Sequence, residues 1–201
     1  MKPVLLINPN GSAATTAMMV RIARPHVPAI VGWTNVQAPP MITEPQALAK
    51  AAAQLAVAEL PEAAGVIVAA FGDPGVAELS ARLDVPVVGI GATAAEAASR
   101  CGPFSVVTTT PRLQEPINRL MGARSGYLGC FFADGDPMAL AADPAALDAA
   151  LIKATGRAAR AGSSSVIVGG GPLAEAAQRI QKAVPVPLIH PLREACARFT
   201  P

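Results

Sequence analysis

The sequence predicts an α/β fold of two pseudo-symmetric lobes, each a mostly parallel sheet flanked by helices, with the site at the lobe interface. Three observations predict it. Short β-branched runs alternate with alanine-rich helical stretches along the chain, the pattern of βα units feeding a parallel sheet. The strand-like runs are almost continuously apolar, as strands covered on both faces must be. The third observation is an internal echo. GVIVAAFGDPGVAEL from Gly65 returns as SVIVGGGPLAEAA from Ser165, VLLINPNGSAATTAMM from Val4 as FSVVTTTPRLQEPINRLM from Phe104, and VPVVGIGATAAEAA from Val85 as VPLIHPLREACA from Val186. Echoes in the same order indicate a doubled half, and the seam between two similar lobes is a natural place for a small ligand.

Taken in chain order, Pro3 to Asn8 is an apolar strand closed by Asn-Pro-Asn, and Ala13 to Arg24 a helix opened by Ser12. Ile30 to Thr34 is a second strand and Glu44 to Glu59 an alanine-rich helix. Gly65 to Ala70 and Val85 to Ile90 are strands around a helix from Val76 to Leu83, and Ala92 to Arg100 is the next helix. The second half repeats the alternation. Its strands run Phe104 to Thr108, Gly126 to Phe131, Ser164 to Gly169 and Val186 to Ile189, and its helices Arg112 to Met121, Pro144 to Ala161, Leu173 to Val184 and Leu192 to Phe199. Asp143 before Pro144 is a helix-start signal, an N-cap followed by proline at the first helical position. These elements put the first lobe at 1–95 and the second at 96–189. The connection falls near Gly91 to Pro103, and the final helix, within 190–201, returns to the first lobe.

Composition narrows the function classes. The chain of 201 residues is long enough to bury a substantial core, and its hydrophobic fraction of 52% is mostly alanine. Polar residues such as Asn8 and Asp73 interrupt every apolar run before the roughly 18 residues that a membrane span needs. Lys2 is followed by a short strand rather than by the apolar core and cleavage site of a signal peptide, so a cytoplasmic protein is expected. A net charge of +2 from scattered residues, with 3% aromatic content, argues against nucleic acid. Cys101, Cys130 and Cys196 are far apart without a CxxC pair and read as free thiols. With two histidines, His26 and His190, no zinc site is expected.

In open α/β sheets, ligands sit beyond the carboxyl ends of the strands, where helix N-termini present unpaired amides. Four turns of the chain occupy that position: Asn8 to Ser12, Phe71 to Gly75, Thr108 to Pro111, and Gly169 to Pro172. Together they describe a pocket for a carboxylate or an imide. The same residue types also serve as helix caps and turn formers, so each turn taken singly has a purely structural reading. Asp73 reads as a turn residue fixed by its own backbone or as an acid/base group, and His190 as a general base or a histidine at a strand end. The GxxxxGK[ST] phosphate loop is absent.

INPNGSAATTAMM, AAFGDPGVAEL followed by LDVPVVGIG, then FSVVTTT, VIVGGGPLAEAA and VPVPLI resemble the aspartate/glutamate/hydantoin racemase superfamily, most closely its hydantoin and allantoin racemase branch. The resemblance runs nearly end to end. It implies two α/β lobes with the active site between them, no cofactor, and a homo-oligomer. It also implies a pair of cysteines, one per lobe, on opposite faces of a carbon acid: one thiolate removes the proton and the opposing thiol returns one, since stereoinversion needs a base and an acid on opposite sides. In the family pattern the first thiol immediately precedes FGDPG and the second lies in the corresponding turn of the other lobe. Here those positions are Ala70 and Gly170. None of Cys101, Cys130 and Cys196 falls at a matching turn.

What survives is a binding frame of Asn10 and Ser12, the amides around Phe71 and Gly72, Thr108, Thr109 and Thr110, and Gly170 and Gly171. The expected function is that of a cofactor-independent member of this superfamily acting on a small carboxylate or hydantoin-like carbonyl compound. Racemase or isomerase chemistry follows from the resemblance, and decarboxylation or hydrolysis without thiols is compatible, with Asp73 or His190 as acid or base. The alternatives are a catalytically inactive relative that binds a small molecule and an assembly module.

Overall fold

Strands β1 (Val4–Asn8), β2 (Ile30–Thr34), β3 (Gly65–Val68) and β4 (Val87–Gly89) form one parallel sheet in the order β2-β1-β3-β4. Strands β5 (Phe104–Thr108), β6 (Tyr127–Phe132), β7 (Ser165–Val168) and β8 (Leu188–Ile189) form a second in the order β6-β5-β7-β8, also parallel. The sequence echo is therefore an echo of register: Val4 pairs with Gly65 across the first sheet, and Phe104 with Ser165 across the second. The structure, a computed structural model, describes residues 2–122 and 124–200.

The helices that cover the sheets are α1 (Ala13–Ala23), α2 (Pro45–Val57), α3 (Val76–Arg82), α4 (Ile90–Ser99), α5 (Gln114–Met121), α6 (Pro137–Ala142), α7 (Pro144–Arg160), α8 (Ala174–Ile180) and α9 (Pro191–Cys196). Successive strand residues point to opposite faces, and both faces are buried. Val4, Leu6 and Ile67 pack with Met19 and Ala23 of α1, whereas Leu5, Ile7, Val66 and Val68 pack with Leu55 and Leu79 of α2 and α3. In the second sheet Val107, Val166 and Val168 meet Leu151, Ala154 and Ala158 of α7, and Phe104, Val106 and Ile167 meet Ala94, Ala95 and Ala98 of α4. Each large side chain so buried stabilises the fold by about 1.5–3 kcal/mol. The alanine that dominates the composition lies where helices approach sheets closely.

The join between the sheets runs from β4 to β5, over the stretch near Gly91 to Pro103. It is largely α4, which begins at Ile90, directly from β4, and packs its alanines against the second sheet. A short connection would have left those alanines without a core to bury in. The C-terminal helix α9 places Leu192, Ala195 and Cys196 in the cluster built around Val4 and Leu6 of the first sheet. Two exposed ion pairs, Arg21 with Glu175 and Arg112 with Glu44, bridge the halves and contribute little at their exposure. The predicted helices over Arg112 to Met121 and Leu173 to Val184 each begin as a single 3₁₀ turn, at Pro111–Leu113 and Gly171–Leu173. No helix among the described residues is long and apolar enough to cross a membrane.

Candidate ligand site between the lobes

In the order β2-β1-β3-β4 the chain reverses its direction of progress between β1 and β3, and in β6-β5-β7-β8 between β5 and β7. Such switch points leave a crevice outside the strand ends. The turns after β1 and β3 carry Asn10, Ser12, Ala70 and Phe71, and the turns after β5 and β7 carry Thr108, Thr109, Thr110, Gly170 and Gly171. All of these residues line one cavity of about 360 Å³, a size suited to a small ligand.

Hydrogen bonds fix the first turn from beneath. Asn8, fully buried, donates from Nδ2 to Asn10 Oδ1 at 2.9 Å and to Thr16 Oγ1 at 3.0 Å. Asn10 Oδ1 also accepts the Ser12 amide at 2.9 Å. With its oxygen held inside the loop, Asn10 keeps Nδ2 without a partner among the described residues. Ser12 caps α1, its Oγ accepting from the amide of Thr15 at 3.1 Å and from Thr15 Oγ1 at 2.9 Å, so its own proton is available to another acceptor. Across the crevice the hydroxyls of Thr108 and Thr110 lie 3.3 Å apart, while Thr109, also buried, has no partner for its hydroxyl among the described residues. The amides of Phe71, Thr109, Gly170 and Gly171 likewise have no backbone partner among them. The polar side of the cavity is thus rich in neutral donors.

The rest of the lining is largely apolar, formed by Pro40 to Ile42, Leu48, Leu113, Ile117 and residues of α6 and α7 including Met138 and Leu147. Sequence reasoning missed these residues and Thr15. Only Thr15 carried a local signal, three positions beyond the Ser12 cap. The Phe71 ring wedges between the lobes in a cluster with Phe104, Val106 and Ile167. Gly169 is packed closely there: a Cβ would stand 3.0 Å from that ring, so the ring would have to give by a few tenths of an ångström.

The remaining expected site residues lie elsewhere. Gly72 sits in the same turn as Phe71, at φ 104°, against Leu48, and does not line the cavity. Asp73 is outside the lining as well: its carboxylate accepts the amides of Gly91 and Ala92 at 2.7 Å each, holding the start of α4 from a backbone φ of 51°. Burial pushes its carboxyl up to about 6, opposed by those two amides. Its partner amides belong to α4 rather than to its own turn. His190 lines a different cavity, and burial together with the Arg193 cation holds its imidazole below the usual value. β4 and β8 are edge strands, one position away from the strands that flank the switch points.

Every residue lining the interlobe cavity is neutral, with no titratable side chain among them. Ala70 and Gly170, the positions at which the family resemblance implies thiols, both line it. Cys101 is exposed on the surface, Cys130 lies on β6 beside Tyr127 Oη at 3.1 Å, and Cys196 is buried on α9. Among the described residues no group of three His, Cys, Asp or Glu side chains could hold a metal.

A family model described as Asp/Glu/Hydantoin racemase matches residues 4–199. The chain belongs to the Asp/Glu/hydantoin racemase family. It is 30% identical over 207 residues to a hydantoin racemase of Paenarthrobacter aurescens, covering 96% of this chain and 87% of that one. It is 32% identical over 200 residues to a hydantoin racemase of Rhizobium meliloti, covering 92% and 81%. The crystal structure of allantoin racemase from Pseudomonas fluorescens superposes with a TM-score of 0.88 at 26% identity, over 98% of this chain and 88% of the other. Within the family, the chain is placed by these relatives with the hydantoin and allantoin racemase branch.

Proposed function

We propose that the interlobe cavity binds a small carboxylate or hydantoin-like carbonyl compound through neutral hydrogen-bond donors, and that this chain does not perform the two-thiol racemisation its family implies. The observation that carries the reading is the lining itself: unpartnered amides and hydroxyls on one side, apolar side chains on the other, and no acid or base between them. The donors suit the oxygens of a carboxylate or an imide, and the apolar side suits a carbon substituent. Proton abstraction from a carbon acid needs a base within hydrogen-bond reach, and the nearest expected candidates, Asp73 and His190, lie outside the lining. The reading includes a cytoplasmic homo-oligomer without a cofactor.

A second reading keeps catalysis. Asp73 stands two residues beyond Phe71 with a carboxyl at about 6, a value suited to acid/base work near neutral pH. One experiment separates the two. The protein is incubated in D2O with 5-substituted hydantoins, allantoin, aspartate, glutamate and arylmalonates, with α-proton loss and substrate consumption followed by NMR and binding followed by thermal shift. A stabilising ligand without exchange or turnover, its effect lost in Asn10→Ala and Thr109→Val, is the expected result. Exchange or turnover by the natural protein would overturn the binding reading in favour of the enzyme.

A further inference from the structure

A second cavity, of about 340 Å³, shares only Gly170 and Gly171 with the interlobe cavity and is opposite to it in character. Its polar groups are Arg193, His190, His26, Gln178 and Gln181, a set of donors with one fixed cation and no carboxylate. Ile22 and Ile90 line it beside buried Leu192. Arg193 forms no ion pair among the described residues, although most arginines of the chain do. The acid closest in sequence to the α8 part of the lining, Glu175, is already paired with Arg21.

We infer that this cavity is a second binding site, taking a small organic monoanion with an apolar body. Arg193 supplies the charge-assisted hydrogen bond to a carboxylate head, which a planar guanidinium makes in bidentate form. His190, half-buried and with no protein hydrogen-bond partner among the described residues, offers a ring nitrogen beside it. The apolar body lies against Ile22 and Ile90. Apolar side chains beside a few convergent polar groups are the usual composition of a small-molecule site. The inference is independent of what the interlobe cavity binds.

The test uses 4-fluorobenzoate as probe, titrated into the whole protein with fluorine NMR and backbone amide shifts. Saturable binding is expected, with shifts concentrated at Gln178, Gln181 and Arg193 rather than at Gly170 and Gly171, which border both cavities. Neutral 4-fluorobenzyl alcohol should bind at least tenfold more weakly. Arg193→Gln, at an exposed position, should weaken the benzoate at least fivefold with unchanged thermal stability, and Gln178→Trp, which fills the mouth, should do the same. Shifts centred on Asn10 and Thr109, equal affinity for the alcohol, unaltered affinity in both variants, or failure to saturate would each overturn the proposal.

Discussion

The buried carboxylate of Asp73 is the sharpest test of how this chain divides structure from chemistry. Asp73→Asn keeps the shape and removes the charge. At pH 7 the wild-type carboxylate accepts two amides at 2.7 Å, whereas an amide side chain must turn one NH₂ donor toward one of them. The mismatch should destabilise the variant by about 1–3 kcal/mol. The pH dependence runs the other way from that of a salt-bridged acid. Because the folded state holds the carboxyl at about 6 against an ordinary 3.8, the folded protein takes up the proton first as pH falls. The group's contribution is greatest below the unfolded value and is lost as pH rises through 6. Wild type should therefore gain on Asp73→Asn by roughly 1 kcal/mol between pH 7 and pH 5. Urea unfolding of both proteins at the two pH values reads this directly. An Asn variant as stable as wild type at both, yet without the turnover of a natural enzyme, would refute the capping role and make Asp73 the acid/base group.

Three further outcomes follow from the same structure. Thr155 is fully buried on α7 with no partner for Oγ1 among the described residues, so Thr155→Val should raise stability by about 1 kcal/mol, read as an upward shift in Tm of a few degrees. A thiol reagent at pH 7.5 should label exposed Cys101 rapidly and Cys196 only on unfolding, because Cys196 is buried and its thiol is pushed up to about 11; a fast second equivalent assigned to Cys196 by mass spectrometry would contradict this. Gly170 has φ 135°, and a Cβ added there would come no closer than 3.6 Å to Leu173. Gly170→Cys should therefore fit sterically but cost about 1–3 kcal/mol in backbone strain, whereas Ala70→Cys should leave Tm nearly unchanged; thermal melts of the two variants read the difference.

The strands were legible because both faces of each sheet are buried, which forces apolar runs such as VLLI and VIV. The crevice was legible because the echo places matching turns after matching strands. Helix α6 was missed although Asp136 before Pro137 is the same start signal as Asp143 before Pro144, and Asp136 does accept the amides of Met138 and Ala139. Its six residues are too few for a helical period to emerge. The apolar part of the cavity lining, Pro40 to Ile42 with Met138, Ala141 and Leu147, is brought together only by packing and has no local signature. His190 lines the other cavity because it follows an edge strand, and a turn there has the same local sequence character as one at a switch point. Asp73 was ambiguous because its two partners lie 18 and 19 residues away.

The matched register of the two sheets bears on how a bound molecule would act on the whole chain. Turns that follow matching strands reach the cavity from both halves, so a small compound with two oxygens would be held by an amide and a serine hydroxyl of one half and by threonine hydroxyls of the other. Such a compound would be a clasp, felt as resistance to separating the halves as much as within the pocket itself.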